Sequence, residues 1–157
     1  MAVVSSTTIL RALSIFHITL AYYLLTSPSI LAEQNLVIIL GAAMDIPLPT
    51  ESLSTPSSST GFAALLLIVL AVHDLTAPSM DDEIGSAYWS SQTPLRVAFY
   101  FIVTGGAYFG KFGLEESKRA ARLTGAGSQA SIMKEVLCNS FVFSWAFLEM
   151  LIWFWVS

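Results

Sequence analysis

Five ionisable side chains interrupt or border the most apolar parts of this 157-residue chain, namely Arg11, His73, Asp74, Arg96 and Glu149. Glu149 is the most demanding because it lies inside the apolar run 138–156. An unpaired charge at the centre of a bilayer costs about 2.5–3.5 kcal/mol on insertion scales, so such residues pair with one another or mark a path for ions or protons. Glu149 therefore predicts intramembrane partners elsewhere in the chain.

Two interpretations of these five residues stay open. In one, they form an ion-paired lock that fixes the register and orientation of the helices; in the other, Glu149, Asp74 and His73 form a site for a proton, an ion or a polar head group. We favour the lock because two arginines offset two carboxylates. If four spans alternate in direction, all five residues lie toward one face, and Arg96 reaches Glu149 across a depth difference of about 9 Å.

A polar stripe extends along the first apolar segment. Arg11, Ser14 and His17 fall within about a third of a helix circumference, so His17 continues the stripe inward. We expect His17 to bond a neighbouring carbonyl or hydroxyl group. A haem bound by His17 and His73 is not expected, because the two residues lie at different predicted depths.

Aromatic residues surround Glu149 in the last apolar segment. Trp145 and Trp153 flank it at four-residue spacing, which predicts a shield against lipid. The segment ends in Trp153, Phe154 and Trp155, a composition typical of an anchor at the membrane interface.

Patterns for catalysis are weak. The chain has no G-x-S-x-G motif, and its single cysteine, Cys138, has no histidine partner predicted on the same side. One cysteine also excludes an internal disulfide and a multi-cysteine metal site. The sequence therefore predicts no catalytic residue, no cofactor and no metal. The remaining enzymatic hypothesis is a lipid-modifying activity with His73 as base and Asp74 as the residue that orients it.

Membrane-spanning helices are the elements that must position these residues. The chain is 55% hydrophobic and 11% charged, with a mean hydropathy of +0.69. A helix over 138–156 is about 28 Å long, close to the roughly 30 Å of a hydrocarbon core. Weaker candidates are 9–25, 61–77 and 95–112. The predicted fold is an all-α membrane protein, a single domain over 1–157 built as a four-transmembrane-helix bundle.

The connecting segments have their own signals. Pro28 ends the first helix, and the apolar stretch 36–44 is too short to cross a bilayer, so it predicts an interfacial or re-entrant segment. Pro94 is predicted to open the third span, where a proline removes no hydrogen bond. No basic residue precedes the first span and no cleavage pattern follows it, so we expect this span to stay as an anchor.

Small and basic residues follow in the second half of the chain. Gly106 and Gly110 have a small-xxx-small spacing, which favours packing within the bundle over dimerisation. The stretch 115–130 predicts a short surface helix followed by a flexible loop. The positive-inside rule places the segment between the third and fourth spans in the cytoplasm, because most basic residues lie there: Lys111, Lys118, Arg119, Arg122 and Lys134.

Several short stretches carry a family resemblance: Arg11 in the first span, 29–31 leading to 43–47, His73-Asp74 at the end of the second span, Pro94 with Arg96, and Glu149. On the basis of these stretches, the chain resembles the small fungal membrane proteins named for increased loss of mitochondrial DNA, and the resemblance covers most of its length. The resemblance implies a four-span protein of the endoplasmic reticulum membrane with no established catalytic activity and an indirect link to mitochondrial genome upkeep. This chain departs from the family pattern in two ways. Its segment 114–131 is longer and more basic than expected, and the sequence ends without an acidic tail.

The primary functional hypothesis is a non-enzymatic subunit that docks on a larger membrane complex for lipid handling or membrane-protein biogenesis. Its aromatic last span and small-residue third span would form the contact. Membrane lipids are expected around the protein. Nucleic-acid binding is not expected, because the sequence lacks the basic patch that such binding requires. The alternative is a small ion channel or proton-coupled transporter that uses Asp74, His73 and Glu149. No internal repeat supports a transporter built from inverted repeats.

Overall fold

Six helices make up the described part of the protein. The structure, a computed structural model, describes residues 6–49, 53–76, 79–124 and 137–156, and no strand occurs in these ranges. The helices, in chain order, are α1 (Ser6–Thr26), α2 (Ser29–Ala32), α3 (Asn35–Met44), α4 (Ser58–Thr76), α5 (Asp82–Thr124) and α6 (Ser140–Val156). The prediction of an all-α protein is confirmed.

Two of these helices, α1 and α4, are long and apolar enough to cross a membrane. Helices α3 and α6 are apolar but shorter, and α6 has 17 residues. Four transmembrane helices are therefore not confirmed by length and composition.

The four long helices form an up-and-down bundle. Helix α1 packs along α4, and α5 packs along α6. The pairing of α5 with α6 is antiparallel, because Trp89 near the start of α5 stacks on Trp153 near the end of α6, whereas Gly106 lies beside Cys138. Asp74 at the end of α4 likewise meets Arg96 early in α5. This arrangement brings the middle of α1 against the middle of α6.

The sequence of α1 explains which of its faces is buried in the bundle. Its buried positions recur at intervals of three and four residues, which defines one inward face: Leu10, Leu13, Ser14, His17, Leu20, Ala21 and Leu24. Helix α1 ends at Thr26, before Pro28, and α3 ends at Met44, followed by Asp45, whose φ of 53° is left-handed. Pro47 then continues the turn, and its carbonyl accepts a hydrogen bond from the Ser140 N–H at 2.9 Å. The segment predicted as interfacial or re-entrant is thus a helix packed against α6.

The third predicted span belongs to a much longer helix. Pro94 lies inside α5, so the prediction that it opens the helix is wrong. The turns before Pro94 are held by tertiary contacts, because Tyr88 bonds His73 and Trp89 packs on Trp153. A long helix tolerates one missing hydrogen bond when both flanking turns are fixed. The surface helix predicted for 115–130 is continuous with α5 as far as Thr124, and 125–130 lies outside the described residues.

The bundle combines an apolar core with buried carboxylates and an apolar outer surface. The side chains of Asp74 and Glu149 are 0% exposed. Many large apolar side chains instead face outward, among them Ile15, Phe62, Phe101, Ile102, Phe154 and Trp155. Exposed apolar side chains of this kind are what a helix presents to lipid or to a partner protein.

Candidate functional site: a buried polar cluster

Glu149 has two hydrogen-bond partners from different parts of the fold. His17 Nε2 on α1 bonds Glu149 Oε1, and the indole Nε1 of Trp153 donates to Oε2 at 3.0 Å. All three side chains are 1% exposed or less. Trp153 is one helical turn beyond Glu149 on α6, so the two lie on the same face. Each oxygen of this buried carboxylate therefore has a partner.

A second pair lies beside the first. Arg96 Nη1 on α5 is 2.7 Å from Asp74 Oδ1 on α4, with Asp74 0% and Arg96 15% exposed. The Arg96 guanidinium also lies 4.4 Å from the ring centroid of Trp153 and 5.7 Å from that of Trp89. An arginine over a desolvated indole gains cation–π attraction of about 2 kcal/mol. Trp153 thus contacts both pairs.

We define the buried polar cluster as His17, Asp74, Arg96, Glu149 and Trp153. Helices α1, α4 and α5 supply one residue each, and α6 supplies two. Trp153 bonds Glu149 and lies under the Arg96 guanidinium, so the two pairs form one network. Such a network ties four helices into one register, because a shift of any helix would leave a buried charge unpaired.

Only three of the five predicted ionisable residues lie in the cluster: Asp74, Arg96 and Glu149. Arg11 is on the exposed side of α1. At 100° per residue it lies 60° beyond Ser14, which is at the edge of the buried face of α1 that contains His17. His73 is also exposed, and its Nε2 bonds the Tyr88 hydroxyl. The expectation of one cluster of five is corrected accordingly.

The expected partner of Glu149 also needs correction. Arg96 pairs with Asp74, whereas Glu149 pairs with His17. The sequence predicts a carbonyl or hydroxyl partner for His17 and an interfacial, shielding position for Trp153, whereas the structure bonds both side chains to Glu149. The signal for His17 was its place on the inward face of α1, in step with Leu13 and Leu20. The signal for Trp153 was its four-residue distance from Glu149.

The other flanking tryptophan has a separate role. Trp145 packs edge-on against Tyr100, with ring centroids 5.6 Å apart and planes at 90°. Its Nε1 is buried without a hydrogen bond, as is the Oγ of the adjacent Ser144. Both residues line a small pocket of about 160 Å³ between α6 and helices α1 and α3.

The two glycines of the predicted packing motif have different surroundings. A Cβ at Gly110 would overlap the Sγ of Cys138, whereas a Cβ at Gly106 would meet nothing within 4 Å. The Gly106 carbonyl lies 3.9 Å from the same sulfur. Gly110 is thus the position where α5 and the start of α6 approach closely.

We expect Gly110→Ala to lower the stability of the purified protein by about 1–3 kcal/mol, because the added methyl group overpacks the contact with Cys138. Gly106→Ala is the matched control and should be neutral or stabilising by up to about 1 kcal/mol, since it only improves helix propensity. Thermal unfolding in detergent measures both. Adding Cys138→Ala to Gly110→Ala should restore most of the loss, and an unchanged loss would contradict the contact.

The cluster has limited chemical options. Among residues 6–49, 53–76, 79–124 and 137–156, no group of three or more His, Cys, Asp or Glu side chains is placed to hold a metal ion. Both Glu149 oxygens and Asp74 Oδ1 face partners from the same bundle, so a bound proton or an ion pair is the chemistry that this geometry offers.

The fold and the cluster define a class: an all-helical protein whose ionisable side chains are paired inside an apolar bundle. The chain belongs to the Ilm1 family, whose model, described as increased loss of mitochondrial DNA protein 1, matches residues 4–157. It is 32% identical over 93 residues to Protein ILM1 of Saccharomyces cerevisiae (strain ATCC 204508 / S288c). That match spans 59% of this chain and 43% of the yeast protein. No solved structure matches the chain.

Proposed function

We propose that this protein is a non-enzymatic, multi-pass protein of the endoplasmic reticulum membrane. It serves as an accessory or scaffold subunit of a larger membrane complex for lipid handling or membrane-protein biogenesis. The family name links its members to loss of mitochondrial DNA. We infer that this link is indirect, through the membrane system in which the protein works.

The observation that carries the proposal is the internal pairing of the buried carboxylates. Glu149 bonds His17 and Trp153, and Asp74 pairs with Arg96. A catalytic carboxylate faces a substrate, whereas these two face other helices of the same bundle. His73, the base of the enzymatic hypothesis, is exposed and bonded to Tyr88. The pairing therefore favours a structural role for the cluster.

Membrane insertion through all four long helices is supported by the distribution of side chains. Helices α1 and α4 have the length and composition of spans. Helix α6 is shorter but carries Phe154 and Trp155 on its outer surface, 71% and 70% exposed. Its carboxylate is covered from the outside, as a lipid-facing helix requires.

The partner surface we propose lies on the outer side of α5. Gly105 and Gly106 have open space where a Cβ would be, and they are flanked by exposed Phe101, Ile102 and Phe109. Small residues between large ones let another helix approach the backbone closely. Gly110 already contacts Cys138 within the bundle. Gly105 and Gly106 are therefore the small residues of α5 that a partner helix can reach.

Mild-detergent purification of the tagged protein from native membranes should recover a stoichiometric large partner. Gly105→Leu should lower partner recovery several-fold without lowering protein level, since leucine fills the open surface and favours helix. Gly61→Leu is the matched control, because Gly61 is equally open but lies on α4. Mass spectrometry and native gel size are read on the same samples.

A homogeneous small species with no partner would overturn the scaffold proposal. The channel or transporter alternative would then be tested by ion flux in liposomes between mildly acidic and neutral pH. That alternative needs His73 beside Asp74 and Glu149, whereas His73 is exposed and bonded to Tyr88.

A further inference from the structure

A cavity of about 730 Å³ lies between the two helix pairs of the bundle. All four long helices line it, for example through Leu20 on α1, Ala63 on α4, Phe99 on α5 and Phe141 on α6. It exists because α4 and α5 barely touch along their described lengths, apart from the contacts at the Asp74 end. Its volume falls within the roughly 300–1,000 Å³ of pockets that hold small organic ligands.

The mouth of the cavity is apolar and faces sideways. Leu66 on α4 is 50% exposed, and Leu95 and Phe99 on α5 are 65% and 57% exposed. If the bundle spans a membrane, as proposed above, this opening meets the hydrocarbon core. A ligand enters from the bilayer, so the occupant is a membrane lipid.

Polar groups are concentrated at one end of the cavity. Arg96 and Tyr100 line that end. On α4 the lining runs from Leu70, close to Asp74, back to Ala63, about 10 Å along the helix axis. The occupant therefore has one polar end and an apolar body.

The charges around Arg96 exclude a charged head group. Arg96 is already neutralised by Asp74, and Glu149 is bonded by His17. An anionic head group would leave an uncompensated negative charge, and a cationic one would repel the guanidinium at low dielectric. Arg96 is 15% exposed, so the space at this end suits a small polar group. A single hydroxyl meets both requirements, since it can accept from a guanidinium N–H and bond the Tyr100 hydroxyl.

The aromatic side chains in the lining favour a rigid ring system. Phe99, Tyr100, Phe141 and Trp145 line the cavity. Aromatic faces give large contact area to a planar apolar body without ordering a flexible chain. We propose that this lateral cavity binds one sterol, with its hydroxyl at Arg96 and Tyr100 and its rings between α4 and α5. The inference depends on membrane insertion but not on a partner complex.

The test uses a photoreactive, alkyne-tagged sterol added to native membranes that contain the full-length protein. Ultraviolet crosslinking should label peptides from α4 and α5, and excess unlabelled sterol should compete. Ala63→Phe fills the far end and should lower labelling about tenfold. Leu65→Phe is the matched control, because Leu65 is 59% exposed on the same helix outside the lining, and its labelling should stay at the wild-type level.

Tyr100→Phe provides a second variant that keeps the ring and loses only the hydroxyl. Loss of one hydrogen bond should weaken competition by unlabelled sterol about 3- to 10-fold. Equal labelling of wild type and Ala63→Phe would overturn the proposal. So would labelling of these peptides by a photoreactive diacylglycerol or phosphatidylcholine but not by the sterol. Two further readouts on the same membranes test the proposed function separately from sterol binding. Partner recovery tests the scaffold role, and resistance to extraction by alkaline carbonate tests membrane insertion.

Discussion

Glu149→Ala is expected to destabilise the protein by about 3–5 kcal/mol, because it leaves His17 and Trp153 without their common acceptor inside the bundle. For a chain of this size the unfolding temperature in detergent should fall on the order of 10 °C. Steady-state protein in cells should fall several-fold. Both readouts are needed, since abundance alone also reflects degradation.

Matched variants separate the lost hydrogen bonds from other effects of mutating α6. Leu151→Ala changes a 47% exposed residue on the same helix and should have little effect. Glu149→Gln keeps an acceptor oxygen and should lose less than Glu149→Ala. The double variant with His17→Ala should be less than additive, with a coupling of at least about 1 kcal/mol. Equal unfolding of Glu149→Ala and Leu151→Ala would contradict the lock.

Arg96→Met is expected to have the second-largest effect. Methionine is apolar and nearly fills the same path, so the main change is an uncompensated Asp74 carboxylate at 0% exposure. Removing one partner of a buried ion pair costs about 3–5 kcal/mol. Adding Asp74→Asn removes the stranded charge and should restore a large part of the loss. Thermal unfolding in detergent, with protein level in membranes, measures the set.

Arg11→Met is the matched control for Arg96→Met. Arg11 is exposed on α1, so its loss should change stability by no more than about 0.5 kcal/mol. If Arg11→Met lowered stability as much as Arg96→Met does, Arg11 would have to be a member of the buried polar cluster. If Asp74→Asn fails to rescue Arg96→Met, the ion pair is not what stabilises this region.

The pairing also predicts which double variants couple. Arg96→Met with Asp74→Asn should depart strongly from additivity, whereas Arg96→Met with Glu149→Gln should lie closer to the sum of the single effects. This comparison separates the observed pairing from the one expected from the sequence, in which Arg96 met Glu149.

Sequence patterns found the helices and the residues that needed partners. Glu149, Asp74 and Arg96 stand out because each is ionisable within or at the edge of an apolar run, which is local information. The three- to four-residue spacing of apolar positions in α1, which predicts its inward face, is also local information. The turn at Pro28 follows from the geometry of proline. These features account for the all-helical fold and for three of the cluster residues.

The pairing itself depends on how far each helix is rotated, which tertiary packing decides. His73 and Asp74 are neighbours 100° apart, and only Asp74 faces the bundle. On α1, Arg11 and His17 are six residues and 120° apart, and only His17 faces the bundle. Helix α5 extends back to Asp82 because Tyr88 and Trp89 find partners on other helices. No pattern within α5 contains that information.

The bond between His17 and Glu149 has a consequence for biosynthesis. The two residues are 132 positions apart, so His17 is synthesised long before its acceptor. Asp74 and Arg96 lie close in the chain and can meet first. Until α6 arrives, the nascent protein carries an imidazole with no carboxylate and a guanidinium without its Trp153 cover. Synthesis of α6 is thus the step that gives His17 its acceptor and covers the Arg96 guanidinium with Trp153.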